Sequence, residues 1–317
     1  MRSRRKKGIG IHILIAAVLL VFMGQVPASA MISDLPLNIP ENNWQPLYTR
    51  VNPDLQKGLE KALDGHKAWR NLILGKKMAV GLVDLSDPSA PRFAHINGGT
   101  MMYAASLPKI AILLAAYVSF EDGSLKETPE IHKDLVAMIR TSNNQAATRM
   151  IERMGFEKIR EVLMNPRYHF YDMSRGGLWV GKKYAKAGKR IPDPVKGLSH
   201  GATVNQICRF YYLLANGRII NPERSGEMLE ILSEPGIHHK FVCELQKRVP
   251  LERLFRKSGT WRCYHADSIL VWGDKWRKYI LTALVECSDG EQIMRDLVSV
   301  AEEVLHPDVR LSWRSFH

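Results

Sequence analysis

The runs that read as β-strands lie toward opposite ends of the chain, and that separation constrains the fold more than any other feature. Residues 76–86 (KKMAVGLVDLS) alternate and are rich in valine, and residues 91–98 (PRFAHING) follow after Asp-Pro-Ser, the pattern of a hairpin. Much later, LFRKSGTWRCY, ADSILVWGD and KYILTALVEC are three further runs separated by turn-like segments, and residues 291–305 have the apolar period of a closing amphipathic helix. Between these groups, from Ser106 to about residue 220, the signals are almost all helical. One sheet assembled from both ends of the chain satisfies this order, with helices on its faces and a second, helical lobe between its two halves. The expected class is therefore α+β of the α/β sandwich type. Its antiparallel sheet is drawn from N- and C-terminal segments flanked by helices, with an α/β lobe at 31–105 and 222–317 and an all-helical lobe inserted at 106–221. Residues 31–52, rich in Pro and Asn, are expected to wrap the surface, and residues 53–70 read as one first helix.

The first thirty residues are of a different kind. Arg2, Arg4, Arg5, Lys6 and Lys7 precede an apolar stretch from Ile13 to Met23, and Ala28-Ser29-Ala30 follows, the layout of a secretory signal peptide cleaved after Ala30. The apolar core is about a dozen residues, short of the roughly 18 needed to span a bilayer. No cysteine lies near the cleavage site for lipid attachment. An exported protein, periplasmic or secreted, with no stable membrane span after signal removal is expected. Cleavage removes five basic and no acidic residues, lowering the formal charge from +13 to +8. A basic exported chain meets anionic wall polymers and lipid headgroups first, and no nucleic-acid motif accompanies the charge, so most of it reads as a solvated face. With 45% hydrophobic residues the mature chain can bury a sizeable core, and a monomer is expected. Cys208, Cys243, Cys263 and Cys287 all lie in the mature part, where an oxidising compartment permits disulfides, and three pairings are open. Neither these cysteines nor His238-His239 and His265-Ala-Asp267 form a complete metal-ligand set, so no metal or cofactor is expected.

Three short motifs sit where these elements meet. In YAASLPKIAILLAAY, Pro108 is tolerated only in a helix's first turn, so a helix begins close to Ser106, where free N–H groups and the helix dipole favour developing negative charge. Lys109, one turn on, can reach the serine hydroxyl, and the apolar run after it implies a buried helix in which desolvation lowers the lysine pKa toward that of a general base. Ser and Lys three apart occur about once by chance in a chain of this size, as Ser3 and Lys6 illustrate, so the motif alone decides nothing. Ser142-Asn143-Asn144 opens a second helix and by itself reads as an N-cap. Lys257-Ser258-Gly259-Thr260 lies on a strand and by itself reads as an edge protected by charge.

Together and in this order, the three match S-x-x-K, S-D-N and K-T-G, and the sequence resembles the class A β-lactamases and penicillin-binding proteins across nearly all its mature length. Asn143 stands in place of the motif's Asp and Ser258 in place of its Thr. The resemblance implies the β-lactamase/D,D-peptidase-like fold and a serine hydrolase working through an acyl-enzyme on Ser106. It implies Lys109 as base or tuner of the base, Ser142 as proton carrier to the leaving nitrogen, and Lys257 as the source of positive potential. Asn144 would hold a substrate amide, and Ser258 and Thr260, assisted by Arg262, would meet a substrate carboxylate. The N–H groups of Ser106 and Thr260, beside Gly259, would form the oxyanion hole. The partner would be a small-molecule β-lactam or a cell-wall peptide.

The resemblance also fails in the loop between the second and third motifs. Class A enzymes deacylate with a loop glutamate in an E-x-x-L-N motif, and residues 168–203 contain no glutamate at all. Asp172 and Asp193 are the only acids there, and Asp193, between Pro192 and Pro194, is the better-placed substitute base, against an ordinary turn role. Trp179 and Tyr184 in the same stretch are candidates to line the mouth of the site. β-Lactam hydrolysis is the leading expectation. A D,D-peptidase-like or esterase-like enzyme with inefficient deacylation is the alternative, followed by a non-catalytic wall-binding protein on the same scaffold.

Overall fold

The computed structural model describes residues 34–37 and 39–307, so the expected signal peptide lies outside the described residues. Helices α1 (Pro53–Asp64) and α2 (Lys67–Leu74) precede a hairpin of β1 (Met78–Asp84) and β2 (Arg92–Ile96). The single helix expected over residues 53–70 is divided: Gly65 ends α1 and His66 is extended before α2 begins. Asn52 starts α1 by accepting a hydrogen bond from the Leu55 N–H, with Pro53 at the first helical position. After the short strand β3 (Met102–Tyr103) come α3 (Lys109–Glu121), α4 (Pro129–Arg140) and α5 (Asn144–Met164). Gly155, with a φ of 81°, breaks α5 at the glycine stop visible in the sequence, and helix resumes beyond it.

The next segment corrects an expectation. The stretch read as helical contains four strands of two or three residues: β4 (Tyr171–Asp172), β5 (Gly176–Gly177), β6 (Trp179–Val180) and β7 (His200–Ala202). None is long enough to show a period of two, so pattern reading had nothing to find. Helices α6 (Val204–Ala215), α7 (Pro222–Leu232) and α8 (Phe241–Leu245) follow. The chain then runs through β8 (Leu254–Trp261), β9 (Tyr264–Trp272) and β10 (Lys278–Glu286) to α9 (Gly290–Leu305).

The five long strands form one antiparallel sheet in the order β2-β1-β10-β9-β8. Its two halves are joined by β1 and β10, in register from Met78 opposite Val285 to Asp84 opposite Tyr279. One face buries Val80, Leu82, Ile269 and Leu281 against Leu59 and Leu63 of α1 and Met294 and Leu297 of α9. On the other face Gly81 gives way to α6, since a Cβ there would stand 2.6 Å from Cys208 Sγ. Burial pushes the Cys208 thiol up to about 12, so it behaves as a small apolar group. The arrangement leaves β8 on the sheet edge.

Alternation along β8 turns Arg256, Ser258 and Thr260 to one face and Lys257 and Gly259 to the other. Arg256 is buried and paired with Asp267 of β9, Nε to Oδ1 at 2.7 Å and Nη2 to Oδ2 at 2.8 Å. It also donates to the carbonyls of Ile237 (2.8 Å) and His239 (3.4 Å), fastening the segment before α8 to the strand. Asp267→Ala leaves a buried guanidinium unpaired and is expected to lower stability in urea unfolding by about 3–5 kcal/mol, while joint replacement of Arg256 and Asp267 by Met and Leu should recover part of the loss.

Candidate active site

Ser106 lies in a turn that precedes α3 rather than inside the helix. Leu107 N bonds Ala104 O (3.0 Å), Lys109 N bonds Ser106 O (3.3 Å) and Ile110 N bonds Leu107 O (3.2 Å), a tight first turn into which Pro108 fits without loss of a donor. Ala105 takes a φ of 51° to make it, the kind of strain that clusters at functional sites. The turn is buried except at Ser106, which is half-buried. No hydrogen bond joins its hydroxyl to another described residue.

Lys109 begins α3, a helix buried on nearly all sides, and is itself without exposure. Its Nζ donates to Ser142 O (2.6 Å) and Asn144 Oδ1 (2.8 Å) and lies 3.3 Å from Ser142 Oγ, so it is turned to the second motif rather than bonded to Ser106. Burial lowers its pKa to about 7. From the sheet edge, the buried Lys257 donates to the same Ser142 Oγ at 2.9 Å and to Ser258 O at 2.7 Å. Burial, reinforced by Lys109, pushes Lys257 well below the usual lysine range. Ser142 is held between the two amines in a left-handed conformation, φ 55°. Asn143 turns away: its Oδ1 accepts from Ala146 N (2.9 Å) and caps α5, an employment that Asn and Asp fill equally well. Asn144, the first residue of α5, is exposed on its outer side.

The third motif is pressed against the first. A Cβ on Gly259 would lie 2.3 Å from Ala104 O and 2.6 Å from Ser106 N, so only glycine lets β8 approach the Ser106 turn this closely. Trp261 opposite Tyr264 closes the β8–β9 hairpin, and hydrogen-bonded pairs alternate back along it, which leaves the Thr260 N–H on the free edge beside Ser106. On the other face, His239 Nε2 lies 3.3 Å from Ser258 Oγ. Lys240, fully buried, donates to Gly259 O (2.7 Å), Thr260 Oγ1 (2.8 Å) and Ala266 O (3.1 Å). Burial lowers Lys240 to about 8 and His239 to about 4. Arg262 is exposed in the hairpin turn, φ 52°, with its guanidinium 5.7 Å from the Trp261 ring centroid, and it makes no hydrogen bond to Ser258 or Thr260.

The loop that lacks glutamate contributes differently from its acids. Asp193 is buried and its carboxylate clamps the loop, with Oδ1 accepting from Tyr171 Oη (3.1 Å), Val195 N (3.0 Å) and Lys196 N (2.9 Å), and Oδ2 from Leu198 N. It has no hydrogen bond to Ser106, Lys109, Ser142 or Lys257. Asp172 serves a turn, accepting from Ser174 and Arg175 N–H groups. Trp179 packs down and donates to Ile191 O (3.0 Å). Tyr184 lies over the site, its ring centroid 4.5 Å from Lys109 Nζ and its hydroxyl donating to Ala105 O at 3.3 Å.

A model of the beta-lactamase enzyme family matches residues 130–305, more than half of the chain. The chain belongs to the beta-lactamase enzyme family. Among solved structures, a β-lactamase from Sphaerobacter thermophilus DSM 20745 superposes with a TM-score of 0.60 at 17% identity, covering 79% of this chain and 97% of that one. A class A β-lactamase from Bacteroides cellulosilyticus DSM 14838 gives 0.57 at 15% identity, with 81% and 100% covered. A structure described as PBP-A gives 0.56 at 16% identity, with 82% and 99% covered. No curated protein sequence matches. The fold is therefore class A β-lactamase-like, which agrees with the α+β class and the resemblance read from the sequence.

Of the residues singled out in sequence, hydrogen bonds bring Lys109, Ser142, Asn144 and Lys257 together, and close packing brings Gly259 and Thr260 to Ser106. Arg262 and Asp193 are not drawn in. Pattern reading missed Lys240, whose only sequence signal is the basic triplet His238-His239-Lys240, which stands directly before α8. Asn143→Ala is expected to lower stability in urea unfolding by about 1 kcal/mol, and Asn143→Asp to leave it unchanged, because the side chain serves α5 rather than the cluster.

Proposed function

We propose that the chain is an exported serine hydrolase of the β-lactamase family that opens β-lactam amides through an acyl-enzyme on Ser106. The observation that supports this reading is the convergence of two buried lysines on Ser142 beside the free hydroxyl of Ser106. Two amines so close do not both hold a full charge in a dry site, so they share fewer than two protons. A neutral Lys109 donates to Ser142 O and Asn144 Oδ1, both pure acceptors, and keeps a lone pair. That lone pair takes the Ser106 proton as Oγ attacks the lactam carbonyl carbon. The oxyanion forms against the N–H groups of Ser106 and Thr260. When the C–N bond breaks, the Ser142 hydroxyl passes its proton to the departing nitrogen and recovers one from the Lys109 ammonium. Lys257 holds Ser142 in line throughout.

Export rests on the basic, apolar and Ala-x-Ala layout of residues 1–30. No helix among the described residues is long and apolar enough to cross a membrane. A second reading, a peptidase-like or esterase-like penicillin-interacting enzyme with slow deacylation, is favoured by one observation: the loop has no glutamate and Asp193 is spent on its own backbone.

Intact mass of the mature protein, followed after mixing with benzylpenicillin, tests the assignment. A gain of one penicillin mass, absent in Ser106→Ala, is expected, and labelling that persists in Ser106→Ala would sink the proposal. The acylation rate should rise with pH as Lys109 loses its proton, with an inflection near its lowered value of about 7, and level off above it. Gly259→Ala pushes β8 away from the Ser106 turn and removes an oxyanion donor, so acylation should slow by about 100-fold or more.

A further inference from the structure

The side of Lys109 that faces the glutamate-free loop is covered by an aromatic ring. Tyr184 sets its ring centroid 4.5 Å from Nζ, and its hydroxyl is tied to Ala105 O, the residue before the nucleophile. The ring is backed in turn by His200 of β7, with centroids 4.4 Å apart, and His200 meets Tyr103 of β3 edge-on at 6.2 Å. His200 is fixed through Nε2–H to Lys182 O (2.9 Å) and through Nδ1 to Ser199 Oγ (3.2 Å). Burial lowers it to about 4, so it stands neutral behind the ring.

The backbone on both sides of Tyr184 is anchored as well. Gly181 N bonds Ser199 O (2.7 Å) and Ile191 N bonds Gly181 O (2.6 Å), closing the loop's neck. Any Cβ on Gly181 would lie 1.8 Å from Ile191 O, so the neck tolerates only glycine. Lys183 reaches Glu152 of α5 at 2.8 Å. Tyr184 is thus presented on a braced loop. Burial keeps its phenol protonated, which rules it out as a base.

We propose that Tyr184 is a positioning residue that sets the lifetime of the acyl-enzyme: its ring closes the loop side of Lys109 and of the Ser106 turn, and so denies a hydrolytic water the approach from which Lys109 could activate it. This rests on the acyl-enzyme reading above and extends it to the fate of the intermediate. The opposite side of the site is open, where Thr260 and Trp261 are exposed on the sheet edge. Acylation, which uses the strand side, is served by the ring because it keeps Lys109 dry. Deacylation needs an O–H added to the ester carbonyl, the Ser106 Oγ–C bond broken and a proton returned to Oγ, and it lacks a place for the attacking water beside the base.

The test is the same intact-mass time course with benzylpenicillin on the parent chain, Tyr184→Phe and Tyr184→Ala, reading acylation and loss of the adduct separately. Tyr184→Phe keeps the ring and should keep the adduct lifetime, whereas Tyr184→Ala should shorten it by about tenfold or more with a smaller change in acylation. An alanine variant with the parental lifetime, or a phenylalanine variant that clears as fast as alanine, overturns the assignment. If Tyr184→Ala fails to fold or to acylate, Tyr184→Leu replaces it, and a parental lifetime in that variant, at parental acylation rate, overturns it equally. Penicillin consumed with no adduct on the parent would overturn the role of Tyr184 alone, whereas neither adduct nor consumption would overturn the acyl-enzyme reading itself.

Discussion

Two lysine side chains buried against one serine hydroxyl are the constraint around which the rest of this structure is organised. An unpaired ammonium in the protein interior costs several kcal/mol, and two near each other cost more. The fold compensates Lys109 with the Ser142 carbonyl, the Asn144 amide oxygen and the Tyr184 ring face, and Lys257 with Ser142 Oγ and the Ser258 carbonyl. The remaining cost is met by giving up a proton, as the depressed pKa of each amine expresses. Burial lowers Lys109 to about 7, within reach of giving up its proton, while Lys257 donates to the Ser142 hydroxyl.

Holding such a site requires elements that do not yield. Lys109 stands on a helix buried on nearly all sides, Ser142 is strained into a left-handed turn that α5 and its Asn143 cap fix from behind, and Lys257 projects from a strand locked to β9. The Arg256–Asp267 pair does the corresponding work on the opposite face of β8, tying down the segment that carries His239 and Lys240. Gly259 is where these restraints meet, since the gap between β8 and the Ser106 turn has no room for a methyl group.

What the sequence carried was whatever is local or periodic. Five long strands, the split of the sheet between the chain's two ends, and the buried helix after Pro108 follow from alternation, turn residues and apolar runs, and each lies near where the pattern puts it. The three motifs were legible because each couples two or more residues at fixed spacing on one element. Lys240 and Tyr184 were not legible in the same way. Each acts across 19 or more residues of chain, Lys240 on Gly259 and Tyr184 on Ala105, from irregular backbone with no spacing rule. Asp193 looked like a candidate base because prolines flank it, but the same rigid turn aims backbone N–H groups at its carboxylate and uses it up. The short strands β4 to β7 were invisible for want of length, although they frame the loop that presents Tyr184.

The distribution of charge across the proposed site argues for a division of labour between its two sides. On the Arg256 face of β8, Lys240 donates to Thr260 Oγ1 and His239 Nε2 lies 3.3 Å from Ser258 Oγ, so basic side chains stand beside both hydroxyls, whereas Arg262 makes no hydrogen bond to either. On the loop side the groups nearest Lys109 are a protonated phenol and a neutral imidazole, with no carboxylate among its hydrogen-bond partners. Under the proposed function, an anionic substrate would be drawn to the edge of β8 and its carbonyl held between Ser106 and Thr260. On the other wall Lys109 meets the Tyr184 ring and has no carboxylate partner that could polarise a water. Under the same proposed function, forming the ester and discharging it would place opposite demands on the surroundings of Lys109, dryness for the first and a bound water for the second, and a ring packed against its Nζ suits the first.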